Sequence, residues 1–137
     1  MRVAFQGEPG AYSEEAIFEH FGPVDTLPCE SFDAVFDAVS QLECDAGVIP
    51  IENSLAGSIH QNYDLLLRRN LWITGEHFLR VRHCLITLPG VQKSDLRRVI
   101  SHPQALSQCA AYLRSLPGVQ VEAVYDTAGS VKLAQER

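Results

Sequence analysis

The stretch from Glu52 to Ser58 concentrates side chains able to handle a small polar ligand. Glu52, Asn53 and Ser54 offer a carboxylate, an amide and a hydroxyl in succession, and two small residues, Gly57 and Ser58, follow. An amide and a hydroxyl donate to an anion, whereas a carboxylate accepts hydrogen bonds or carries a proton. Ser13, Gln104 and Thr127 have the same character, each where an apolar run gives way to a helical spacing. Unpaired N–H groups at a helix start attract anions, so four such starts suit a small dianion. Capping alone accounts for any one of them: Asn53 or Ser54 as a helix cap, with Glu52 in the first turn, is ordinary. Three polar side chains and then a glycine, between a buried strand and a helix, favour a site.

Other chemistries find little support. His20, His60, His77, His83 and His102 have no ligand spacing, so no metal is expected. Cys29, Cys44, Cys84 and Cys109 form no C-x-x-C pair and read as reduced thiols, mostly small core hydrophobes. No Ser/His/Asp set is spaced for acyl transfer. The net charge of -6, with no basic cluster longer than Arg68-Arg69 or Arg97-Arg98, argues against nucleic acid. No apolar run reaches membrane-spanning length. Met1-Arg2-Val3 leads directly into a strand pattern, so no signal peptide and a cytoplasmic location are expected.

The elements that must position these residues follow from periodicity. Arg2–Gln6, Val24–Cys29 and Gly47–Ile51 read as strands. Ser13 is the expected cap of a helix burying Ala16, Ile17, Phe18 and Phe21, and Ser31 caps one carrying Phe32, Val35, Phe36 and Val39. Ile59, Tyr63, Leu66 and Leu67 set the apolar face of a third. This alternation implies a parallel sheet with covering helices. Leu71–Thr87 reads as a long extended segment crossing into a second lobe, which divides the chain into residues 1–76 and 77–137. Beyond it come a strand at Arg97–Ser101, a capping box from Ser101 to Gln104, one helix carrying Leu106, Cys109, Ala110 and Leu113, a strand at Val119–Tyr125, and a last helix opened by Asp126-Thr127-Ala128-Gly129.

Four ordered segments resemble one family. Gly7-Glu8-Pro9-Gly10-Ala11-Tyr12-Ser13, Gly47-Val48-Ile49-Pro50-Ile51-Glu52-Asn53-Ser54 with Gly57-Ser58, Ser101-His102-Pro103-Gln104-Ala105-Leu106, and Asp126-Thr127-Ala128-Gly129 look like the motifs of prephenate dehydratase. Asn62-Tyr63-Asp64-Leu65-Leu66-Leu67-Arg68 resembles the plant arogenate dehydratase branch. The resemblance implies a two-lobed α/β fold of the type II periplasmic-binding-protein kind, with three-layer α/β/α lobes and a central cleft. It implies a carbon–oxygen lyase of phenylalanine biosynthesis that turns prephenate into phenylpyruvate, or arogenate into phenylalanine, without a cofactor. A ligand-binding module of the same fold is the alternative. The implied substrate contacts are Ser13, Glu52, Asn53, Ser54, Gly57, Ser58, Gln104, Ala105 and Thr127. The family's proton donor lies in a Thr-Arg-Phe motif absent from these 137 residues, so the catalytic residue stays unassigned and the chain is expected to be inactive alone. The same resemblance implies an incomplete dehydratase domain, a homo-oligomer, and phenylalanine as effector only where a C-terminal ACT domain follows.

Overall fold

Alternation along the first strand sets the first unit. In the computed structural model, which describes residues 1–136, β1 (Arg2–Gln6) has Val3, Ala4 and Phe5 fully buried. Successive strand side chains face opposite ways. Val3 and Phe5 pack with Ile17 of α1 (Tyr12–Phe21), while Ala4 packs with Val35 and Ala38 of α2 (Phe32–Ser40). The two helices therefore cover opposite faces and give three layers. Strands β2 (Asp25–Cys29) and β3 (Ala46–Val48) flank β1 in parallel, in the order β2-β1-β3. Ser31 caps α2 as expected, its Oγ accepting the Ala34 N–H at 3.1 Å.

The chain forms two units, Met1–Val81 and Arg82–Arg137. The division falls inside the expected crossover, after Val81 rather than after Glu76. His77 belongs with the first unit because its Nε2 lies 2.9 Å from Glu19 Oε2 of α1. Arg137, the last residue of the expected second lobe, lies outside the described residues. Residues 71–87 form no strand. The alternation there is real, but no neighbouring strand pairs with it, and Trp72, Ile73 and Phe78 are exposed.

Two helices of the first unit differ from expectation. Helix α1 begins two residues early, capped by Ala11 without a side-chain bond, so Ser13 sits within its first turn. Glu14 takes over the loop: its Oε2 accepts the Gly10 N–H and its Oε1 the Thr26 hydroxyl, both at 2.7 Å. Strand β3 stops before Pro50, which has no N–H for a ladder. A short hairpin follows, β4 (Glu52–Asn53) and β5 (Gly57–Ser58), and α3 (His60–Arg68) starts only after it. This helix buries Asn62 and Leu65, leaving Tyr63 and Leu67 exposed. Its end is tied to α2, where the Arg69 guanidinium reaches Asp37 at 2.7 Å and Asp33 at 3.6 Å.

The second unit is built on parallel strands β6 (Arg98–Ser101) and β7 (Gln120–Ala123). The single helix expected after β6 breaks at Cys109, whose φ of -97° and ψ of 6° separate α4 (Pro103–Gln108) from α5 (Ala110–Arg114). Helix α6 (Gly129–Glu136) closes the unit. Ala105, Leu113, Leu116, Gly129 and Ser130 are its buried residues among those described. No helix among the described residues is long and apolar enough to cross a membrane.

Gly47 sets how closely α2 can approach the sheet. A Cβ there would lie 2.8 Å from Val35 Cγ1 and 3.2 Å from Val39 Cγ2. Gly47→Ala should therefore lower stability by about 1–3 kcal/mol through overpacking. Urea titration measures this directly, and a variant as stable as the parent would show that α2 can ride outward without cost.

Candidate functional site

The Glu52–Ser58 hairpin is held by hydrogen bonds more than by burial. Glu52 pairs with Ser58 and Asn53 with Gly57 across it. Asn53 Oδ1 accepts the N–H groups of Leu55 at 2.9 Å and Ala56 at 3.1 Å, an Asx turn. Gly57 has a φ of 86°, a backbone conformation that favours glycine, although a side chain would meet open space. At the base, the Ile59 N–H bonds to the Ile51 carbonyl at 2.9 Å, and Asn62 Nδ2 to the Pro50 carbonyl at 2.8 Å. Ser54, Gly57 and Ser58 are exposed on this ordered loop.

This geometry corrects the expected helix start at Asn53 and Ser54. The N-cap of α3 is Ile59, with no side-chain cap bond. Asn53 caps a turn instead, because the same oxygen that would bond a helix N–H serves the two amides of its own loop. Its Nδ2 makes no hydrogen bond among the described residues. The hairpin thus offers amide and hydroxyl donors one by one, rather than a helix terminus.

Topology brings Ser13 to the same edge. Strands β1 and β3 are parallel neighbours, so the loops that follow them leave the C-terminal edge of the sheet, where ligands of open α/β sheets bind. Ser13 is half-buried there in the first turn of α1.

The second unit repeats the arrangement. Ser101 lies beside Ala123, and the Val124 N–H bonds to the Ser101 carbonyl at 2.8 Å, so the loops carrying Gln104 and Thr127 leave one end. The expected Ser101–Gln104 capping box does not form. Pro103 holds its predecessor extended, which makes His102 the cap, and His102 Nδ1 accepts the Gln104 N–H at 3.2 Å. The Gln104 side chain is exposed, but the methyl of Ala105 is buried, leaving only its backbone to meet a ligand. Thr127 is bracketed by Asp126, whose Oδ1 accepts the Ala128 N–H at 3.3 Å and whose carbonyl accepts the Ser130 N–H at 3.2 Å. Asp126 Oδ2 is buried without a partner among the described residues.

Sequence reasoning missed Glu14 and Asn62. Asn62 left a signal: a polar residue three positions after Ile59 and three before Leu65, on what is a helix's inner face. Among the described residues no group of three or more His, Cys, Asp or Glu is placed to hold a metal.

Half-buried Cys29 and buried Cys44 hold their thiol protons more tightly than a free cysteine. Burial pushes the Cys29 thiol up, helped by the nearby Cys44 and Glu43, and burial likewise raises Cys44 against the opposing Arg2. A thiol with a raised pKa keeps its proton longer in the folded chain than in the unfolded one. Its contribution to stability is thus fully present below the unfolded value and is lost as pH climbs toward the folded one. At about pH 8 iodoacetamide should label exposed Cys84 well before buried Cys44, the difference vanishing in denaturant. Labelling of Cys44 as fast as Cys84 would show the core opening on the labelling timescale.

Known structures and sequences converge on one family. The fold is similar to that of GqqA, described as a novel type of quorum quenching acylase, with a TM-score of 0.91 and 38% identity over 99% of this chain and 50% of that one. It is also similar to prephenate dehydratase from Arthrobacter aurescens in complex with L-Phe (TM-score 0.76, 26% identity, 96% of this chain and 45% of that one). The enzyme from Staphylococcus aureus gives a TM-score of 0.77 and 27% identity over 96% of this chain and 50% of that one. The parallel-sheet α/β fold expected from sequence is the one these dehydratases share. Arogenate dehydratase/prephenate dehydratase 2, chloroplastic, of Arabidopsis thaliana is 57% identical over 132 residues, covering 96% of this chain and 34% of that protein. Arogenate dehydratase 1 of Petunia hybrida is 54% identical over 134 residues, covering 96% and 31%. The chain spans about a third of the length of these curated relatives. The model of the prephenate dehydratase family matches residues 3–137, and the chain belongs to that family.

Proposed function

We propose that the protein carrying this chain is a carbon–oxygen lyase that converts prephenate to phenylpyruvate, releasing CO₂ and the ring hydroxyl, in phenylalanine biosynthesis. Arogenate, giving phenylalanine directly, is the alternative substrate, and the relatives' names carry both activities. The observation that carries this reading is an ordered hairpin of donors, Asn53 to Ser58, within a chain matched by the family model almost end to end. Aromatisation supplies the driving force, so the protein has to hold two carboxylates, orient the ring and protonate the departing hydroxyl.

Asn53 Nδ2 and the hydroxyls of Ser54 and Ser58 are the carboxylate donors of this reading, with Gly57 shaping the turn. Ser13, Gln104 and Thr127 supply further donors, and Ala105 contributes through its backbone. Glu52 orients the hairpin strand. None of these is given the proton, which the family resemblance assigns to a Thr-Arg-Phe motif outside these residues. Self-association, and phenylalanine as an effector where an ACT domain is present, belong to the same proposal.

Asn53→Asp separates ligand binding from folding. The carboxylate keeps an acceptor for the Leu55 and Ala56 amides but replaces the Nδ2 donors with a charge that repels an anion. We expect the thermal midpoint to hold while kcat/KM falls by about 10²-fold, the worth of a hydrogen bond to a charged group. Phenylpyruvate absorbance from prephenate and phenylalanine release from arogenate measure it in the intact protein. An unchanged kcat/KM would remove Asn53 from the site. Residues 1–137 alone should turn over neither substrate, since losing a general acid costs about 10²–10⁴-fold. The likeness to the quorum quenching acylase favours a second reading, acylase activity. Failure of both dehydratase assays with amide hydrolysis of an acylated substrate would put that reading first.

A further inference from the structure

We propose that Asn62 is a positioning residue, which holds the Glu52–Ser58 hairpin in its ligand-ready form from inside the first unit. Asn62 is fully buried and sits in the first turn of α3, a place an apolar residue would fill at no polar cost. Its Nδ2 donates to the Pro50 carbonyl at 2.8 Å, yet its Oδ1 is buried with no partner among the described residues. An orphaned buried oxygen is unfavourable, so packing alone does not account for an asparagine here. Its one bond does.

Pro50 lies two residues before the hairpin, and the Asn62 N–H bonds in turn to the carbonyl of Ile59, the first residue after it. The side chain thus holds the entry to the loop, while the backbone of the same residue meets its exit in the first turn of α3. The Ile59 N–H to Ile51 carbonyl bond closes the base between them. The hairpin itself has only two residue pairs, and residues 54–58 are exposed. Such a ribbon is marginal by itself. Its order must come from the base, and Asn62 is the buried member of that base.

The role predicts a separation that a merely structural residue would not show. Asn62→Leu keeps the branched shape with somewhat more bulk, and removes the orphaned oxygen together with the grip on Pro50. Relief of the orphaned oxygen offsets the extra bulk, so the thermal midpoint should change little, while the Leu55 and Ala56 amides exchange with solvent faster and those of Val3 to Phe5 stay slow. Resting on the dehydratase reading, kcat/KM for prephenate should fall by about 10²-fold, the cost of misplacing a binding group by about 1 Å, carried mostly in KM. Asn62→Asp, which turns the donor into an acceptor facing the Pro50 carbonyl, should give the same loop exchange. The Asn62→Gln side chain, a longer amide that can still donate, should restore part of the protection.

Amide exchange is read on the intact protein whether or not it turns over prephenate, so failure of the dehydratase reading leaves this test standing. Faster loop exchange with an intact core supports the proposal. Unchanged exchange at Leu55 and Ala56 in both Asn62→Leu and Asn62→Asp would overturn it. A fall in the thermal midpoint of Asn62→Leu with KM unchanged would overturn it too, reducing Asn62 to a packing residue.

Discussion

Val3, Ala4 and Phe5 expose no surface, so α1 and α2 must cover opposite faces of one short strand. Burying a large apolar side chain contributes about 1.5–3 kcal/mol, and β1 places two of them, Val3 and Phe5, on the α1 side. The α2 side is built differently. Ala4 and Gly47 are small there, which lets Val35 and Val39 press against the backbone of the sheet. This close approach fixes α2, and through the Arg69 pairs with Asp33 and Asp37 it also fixes the end of α3. A sheet edge held so firmly can carry loops that are themselves mostly exposed.

Those loops keep their shape through local polar bonds. Glu14 bonds Gly10 and Thr26, Asn53 bonds Leu55 and Ala56, and His102 bonds Gln104. In each case a side chain satisfies backbone or hydroxyl groups that regular structure leaves open. The consequence for chemistry is specific. A helix N-terminus offers N–H groups of any sequence, whereas a hairpin such as Glu52–Ser58 offers side chains that substitution can retune one at a time.

Much of this was legible because its signals are local. The run Val3-Ala4-Phe5 read as a buried strand, the Ser31 cap stood immediately before α2, and alternation of strand and helix implied a parallel sheet. The failures have a common cause. Asn53 as a helix cap and Asn53 as an Asx turn use the same side-chain oxygen, so only the pairing of Glu52 with Ser58 decides between them. Leu71–Thr87 alternates like a strand, but a strand needs a neighbour, and pairing is not written in one segment. His102 is different. The rule that a residue before proline stays extended could have moved the cap off Ser101 from sequence alone.

The site proposed here also bears on the choice between prephenate and arogenate. The two differ only in a keto group against an ammonium on the side chain, and donors that hold carboxylates treat them alike. On the proposed reading Asn53, Ser54 and Ser58 therefore hold either substrate without ranking the two. Ranking requires an acceptor or a negative charge near that one carbon. Of the two carboxylates adjacent to the proposed donors Asn53 and Thr127, Asp126 already spends Oδ1 on the Ala128 N–H and keeps Oδ2 buried, so it is turned into its own loop. Glu52 is exposed on the hairpin strand, directly across from Ser58. Its position depends on the same base that Asn62 holds, so on the dehydratase reading the geometry of that base sets where this carboxylate can reach.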